Sequence, residues 1–103
     1  MIPPVKAIIF MKHHSARVPD KNLRPFCGRP LCHWILRTLE ASRHVEQTIV
    51  NTDSEEIARE ARQFPKVTIH MRPDYLLGDH IGASPLIEYD LDHSEGEYYV
   101  QTH

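Results

Sequence analysis

Apolar side chains are almost unbroken from Val5 to Met11, V-K-A-I-I-F-M, a run that suits a strand covered on both faces, as in a parallel sheet. The period then changes. Behind Pro30, whose missing N–H costs nothing at a first helical position, Leu31, Trp34, Ile35, Thr38, Leu39 and Ser42 recur at helical spacing, predicting a helix from about Pro30 to Arg43. Gln47 to Asn51 is short and β-branched and predicts a second strand. In T-D-S-E-E-I-A-R-E-A-R, either Asp53 or Ser54 serves as N-cap, with acids in the first turn and arginines in the last. This matches the helix dipole and predicts a helix to about Gln63. Lys66 to His70, alternating through Val67 and Ile69, predicts a third and less buried strand. Met71 to Gly82 has no clean period and reads as a loop carrying Arg72, Asp74 and Asp79. Ser84-Pro85 predicts the N-cap and first residue of a third helix, to about His93, and Glu97 to Gln101 a fourth strand.

The order β-α-β-α-β-α-β implies an α/β domain with right-handed crossovers and a mostly parallel sheet. At 103 residues there is room for one core, so residues 1–103 are expected to form one unit. A stop three residues after Tyr-Tyr-Val leaves an expected interior strand without a following element. The sequence therefore reads as an incomplete polypeptide, truncated after about the fourth strand.

Composition narrows the partners. With 41% apolar and 25% charged residues and a net charge of −2, nothing attracts the chain generally to nucleic acid or to a membrane, and any anion site must be local. No apolar stretch is long enough for a membrane span, and Met1-Ile2-Pro3-Pro4 lacks a signal-peptide layout, so a cytoplasmic protein is expected. Cys27 and Cys32 lie five apart, which is no C-x-x-C pair, and are expected to be free thiols. The eight histidines are scattered apart from His13-His14, with no i, i+4 pair on a predicted helix, so no metal site is expected of them.

The candidate chemistry concentrates in Lys12 to Arg29, where Lys12, Arg17, Lys21, Arg24 and Arg29 face a single acid, Asp20. A basic loop leaving the first strand of an open α/β sheet lies where ligands bind, and the following helix points its dipole to the same end. Such charge can neutralise a triphosphate. Neither G-x-x-x-x-G-K-[ST] nor G-x-G-x-x-G is present after the first strand, which argues against a P-loop NTPase and an NAD-type dehydrogenase. Ser15 either donates to a phosphate or makes a turn, and Asn22 either reads a base edge or caps one. Asp53, Asp74 and Asp79 leave different loops at the sheet ends, but Asp53 reads as a cap and Asp74 as a turn residue; no metal ligand is assigned.

The segment S-A-R-V-P-D-K-N-L-R-P-F-C-G-R-P-L resembles the sugar-acid cytidylyltransferases, above all the acylneuraminate cytidylyltransferases (CMP-sialic acid synthetases) and more distantly the CMP-Kdo synthetases. V-N-T-D-S-E-E-I-A, R-P-D-Y-L-L-G-D and Y-Y-V-Q-T continue the likeness across nearly the whole chain. It implies a Rossmann-like three-layer sandwich in which a sugar-acid hydroxyl attacks the α-phosphate of CTP, pyrophosphate leaves, and Mg²⁺ offsets the developing charge. Carried over by position, it implies nucleotide contacts from Lys12, Ser15, Arg17, Lys21, Asn22, Arg72 and Gln101. The metal ligands, the sugar site and the segment for a homodimer belong to a second half not present here, so the chain alone is expected to be inactive. Departures are specific. Ala16 stands where an expected lysine is missing, a pattern nearer the S-x-R-x-P-x-K of the Kdo enzymes, and His80, Ile81, Gly82 and Ala83 replace serines that usually help hold cytosine. These departures keep open a non-catalytic nucleotide-binding or interaction module, or a nucleotidyltransferase with another base or acceptor.

Overall fold

A computed structural model describes residues 4–12, 25, 26, 28–77, 81–96 and 98–102. Strand β1 (Val5–Met11) is followed by a two-residue antiparallel pair, β2 (Pro25–Phe26) and β3 (Arg29–Pro30), and then by helix α1 (Leu31–Ala41). Next come β4 (Val45–Thr52), α2 (Glu55–Ala61), β5 (Val67–Met71), a single 3₁₀ turn at Asp74–Leu76, α3 (Ala83–Asp92) and β6 (Tyr99–Thr102). The main sheet has the order β5-β4-β1-β6, and every pairing in it is parallel. This is the α/β, Rossmann-like arrangement expected from the sequence.

Strand alternation divides the core into two layers. Ile9, Met11 and Val50 point to one face, where Cys32 and Leu36 of α1 and Ile57 and Ala61 of α2 cover them. Asn51 and His70 alternate to the other face, where both bond to Asp90 of α3. Two helices on one side and one on the other is what right-handed crossovers demand when the chain first steps outward from β1 to β4 to β5 and then returns beyond β1 to β6. The reversal lies between β1 and β6. Ligands of open α/β sheets bind at the strand C-termini beside such a switch.

Several boundaries differ from the sequence reading, each for a physical reason. Pro30 is in β3, opposite Pro25, instead of opening α1. Gly28, at φ 85°, makes the intervening turn in the left-handed region that favours glycine. The third helix starts at Ala83 with Gly82 as N-cap, so Ser84 and Pro85 lie inside its first turn. Proline is accepted throughout a first turn because those N–H groups have no helical partner, so it marks the turn and not the position. Ser54, and not Asp53, caps α2, its side chain accepting from Ile57 N–H at 3.2 Å. The fourth strand begins two residues later than expected and lies at a sheet edge, with Tyr98, Val100 and Gln101 exposed.

The opposite, N-terminal end of the sheet is tied down by Lys66. Its Nζ donates to the carbonyls of Ser42 at 3.0 Å and Val45 at 2.9 Å, and its backbone N–H donates to Glu40 at 3.0 Å. Between α1 and α2, His33 Nε2–H donates to Glu60 Oε2 at 2.6 Å. These contacts serve the frame.

Candidate functional site

The parallel register aligns Met11 with Thr52, and Thr52 with Met71, across three strands. One residue further along each strand come Lys12, Asp53 and Arg72, so the rim at the C-terminal ends of β1, β4 and β5 presents a cation, a carboxylate and a second cation in a row. With strands roughly 4.8 Å apart, Lys12 and Arg72 leave the sheet about 10 Å from one another, a separation that two long side chains can bridge toward one polyphosphate. Lys12 is half-buried.

Arg72 is almost wholly enclosed, at 9% exposure. Its backbone N–H continues the sheet by donating to Thr52 O at 3.0 Å. Its Nε–H donates to Asn51 Oδ1 at 2.5 Å, and Nη2 reaches the Asn51 carbonyl at 3.4 Å. Burial pulls the guanidinium pKa below its ordinary value, while the negative charges of Asp53 and Asp90 push it back up. A buried cation held by neutral acceptors and two nearby carboxylates stays charged and oriented.

The layer beneath Arg72 is polar, which is unusual for the interior of a sheet. Asn51 and Asp90 are fully buried and His70 nearly so. Asn51 Nδ2 donates to Asp90 Oδ1 at 3.0 Å, and His70 Nδ1–H donates to the same oxygen at 2.7 Å. The second Asp90 oxygen, Oδ2, is buried with no partner among the described residues. Around it, Tyr89 stacks on His93 at 4.0 Å between ring centroids, and His70 meets Tyr89 edge-on.

Of the residues singled out from sequence, Lys12, Asp53 and Arg72 come to this rim. Ser15, Arg17, Lys21 and Asn22 lie outside the described residues, as do Asp79, Arg24 and Cys27. Gln101 is exposed on β6 and pairs with Ile8, three residues back from Met11, roughly 10 Å below the rim. Asp74 is exposed in the 3₁₀ turn. Sequence reasoning missed Asn51, His70 and Asp90. The signal was there for two of them: Asp90 follows Leu86 by four, on the core-facing side of α3, and His70 shares strand parity with Arg72. Among the described residues, no group of three His, Cys, Asp or Glu side chains is placed to hold a metal ion, and no helix is long and apolar enough to cross a membrane.

The cytidylyltransferase family model matches residues 6–101, which takes in all of the sheet but Val5 and Thr102, all three helices and the rim. The chain belongs to this family. Among curated relatives, a CMP-N,N'-diacetyllegionaminic acid synthase of Legionella pneumophila is 36% identical over 76 residues, covering 73% of this chain and 32% of that protein. A 3-deoxy-manno-octulosonate cytidylyltransferase of Acidobacterium capsulatum is 37% identical over 59 residues, 57% of this chain and 24% of that one. An N-acylneuraminate cytidylyltransferase A of Danio rerio is 26% identical over 91 residues, 88% and 21%. This cytidylyltransferase-family chain thus spans about a fifth to a third of those relatives' length. The fold is similar to that of a CMP:2-keto-3-deoxy-manno-octonic acid synthetase solved with CTP, at a TM-score of 0.76 and 18% identity over 96% of this chain and 39% of that one.

Proposed function

We propose that this chain forms the CTP-binding part of a sugar-acid cytidylyltransferase. In the reaction the oxygen of a sialic-acid-like sugar's hydroxyl bonds to the α-phosphorus of CTP and gives up its proton to solvent, the bond from that phosphorus to the bridging oxygen breaks, and pyrophosphate departs with the electron pair. Negative charge accumulates on the phosphate oxygens, so fixed cations aimed at them lower the barrier more than any covalent group would. Arg72 supplies a planar donor fork at the end of β5, and Lys12 a cation after β1. Arg17 and Lys21 add charge, Ser15 a hydroxyl and Asn22 an amide donor toward the nucleotide, while Gln101, below the rim on β6, enters the reading through the family resemblance alone. Membership of the family supports the reading, and one observation of the chain itself carries it: a buried arginine anchored at the C-terminal rim, one strand from Asp53 and two from Lys12.

Mg²⁺ belongs to the proposal through the family resemblance. The described residues offer no cluster to cage it, and such an ion is usually held by one or two carboxylates together with substrate phosphates and water. A cytoplasmic homodimer likewise rests on resemblance. The test is pyrophosphate release by the full natural polypeptide, given each of CTP, UTP, ATP and GTP with Mg²⁺ and a panel of sugar acids. CTP-dependent release is expected. Release with another nucleotide alone rejects the base assignment, and CTP binding without turnover favours the non-catalytic module.

A further inference from the structure

Arg72 does not stand alone at the rim; a chain of side chains from three elements fixes its plane. Asp90 Oδ1 on α3 accepts from Asn51 Nδ2, which turns the amide so that Oδ1 faces the guanidinium, and Arg72 Nε–H donates to that oxygen. The opposite amide orientation would set an N–H₂ group against Nε–H, so both neighbours demand the same one. His70 Nδ1–H, donating to the same Asp90 oxygen, holds the carboxylate from the β5 side. Asn51 and Asp90 are at 0% exposure, so neither touches a ligand at the rim itself. With Nε and one Nη directed back at Asn51, the outer N–H groups of Arg72 have no partner among the described residues and are left for an anion, in a plane set from beneath.

We infer that Asn51, oriented by Asp90 and His70, is a positioning residue that acts on a bound triphosphate through Arg72. This rests on the reading of Arg72 as a phosphate contact proposed above. It adds a residue set, buried one layer down, that decides how well that contact is made. Geometry accounts for its sensitivity: a guanidinium rotated off its plane offers one hydrogen bond where two were available.

The discriminating experiment is a double-mutant cycle on the full natural polypeptide, with CTP and inorganic tripolyphosphate as probes in calorimetric titration and thermal melts to confirm folding. Arg72→Ala is expected to weaken both ligands about 30-fold and Asn51→Ala about 10-fold. The double variant is expected to bind no worse than Arg72→Ala alone, because Asn51 has nothing left to act through. Where Asn51→Ala fails to fold, Asn51→Val, a better strand former, takes its place in the cycle. Multiplying losses, near 300-fold in the double variant, or unchanged binding by the Asn51 variant, overturns the inference while leaving Arg72 as a contact. Unchanged binding by Arg72→Ala overturns both.

Discussion

The two faces of the sheet both carry apolar side chains, Ile8 and Ile49 on the α3 side included, and they part company toward the strand C-termini. Under α1 and α2 the interior is Ile9, Met11, Val50, Leu36, Ile57 and Ala61, side chains that pack without needing partners. Under α3, at the same depth, lie Asn51, His70 and Asp90, each of which must find a hydrogen bond or forfeit stability. A buried carboxylate with one oxygen unpartnered among the described residues, as Asp90 Oδ2 is, is a poor way to stabilise a small domain. Its direction explains it better: Asp90 and Asn51 lead to Arg72 at the rim. One face holds the fold, and the other holds a charge in place.

The division breaks if stability and ligand affinity respond together. The largest expected effect is on the apolar face: Ile57→Ala, removing a wholly buried side chain, should cost about 2–5 kcal/mol of stability in urea titrations. CTP affinity of the remaining folded fraction should not move. A parallel loss of affinity would mean that the α1/α2 layer also tunes the rim.

The second effect concerns Cys32, on the same face. Burial pushes its thiol up to about 11, with the Glu60 charge adding to the shift and the backbone bonds of Cys32 and His33 opposing it. The unfolded thiol loses its proton near pH 9, so the folded state holds the proton more tightly between there and about 11. Stability is therefore fully present below pH 9 and falls above it, by at most about 1.4 kcal/mol per pH unit. Urea midpoints at pH 8.5 and 10.5 should show this slope in the parent and lose it in Cys32→Ala. An identical slope in both would mean that other groups account for it.

Sequence patterning exposed the apolar face and concealed the polar one. Val5 to Met11, the α1 stripe and the T-D-S-E-E-I-A cap signal depend on local periodicity and capping, which neighbours along the chain specify. The Asn51–Asp90–His70 cluster joins residues 20 and 39 positions apart. Periodicity assigns Asp90 and His70 each to a face of its own element but links neither to Asn51, and a polar residue in a strand or helix usually reads as solvent-facing. Lys12 and Arg72 were legible as charges, and the order of elements was enough to send both to one end of the sheet. The depth at which Arg72 is buried was not. Nor was the β2–β3 pair, where proline suggested a helix start but the turn at Gly28 lets the chain pair first.

On the polar face, Arg72→Lys keeps the charge and removes the fork. If the guanidinium plane matters, as its anchoring by Asn51 implies, CTP should bind about tenfold more weakly, close to 1.4 kcal/mol, with little change in melting temperature. Equal affinity would reduce Arg72 to a point charge. It would also remove the reason for the polar layer beneath it.

The smallest effect tests where the two faces meet, at the rim turn between β4 and α2. Ser54 Oγ accepts from Ile57 N–H, and the Ser54 N–H donates to Thr52 Oγ1 at 3.1 Å, so the residue after Asp53 serves the helix of the apolar face. Ser54→Ala should cost about 1 kcal/mol, and Ser54→Gly only a few tenths. Helix propensity would rank the two the other way, since glycine is the poorer helix former, so the order itself identifies capping as the cause. If Ser54 serves α2 alone, CTP affinity should be the same in both variants, although Ser54 is adjacent to Asp53 in the chain. A drop in affinity for either would show that the turn carries the ligand site as well as the helix, and the boundary between the two faces would have to be moved to include it.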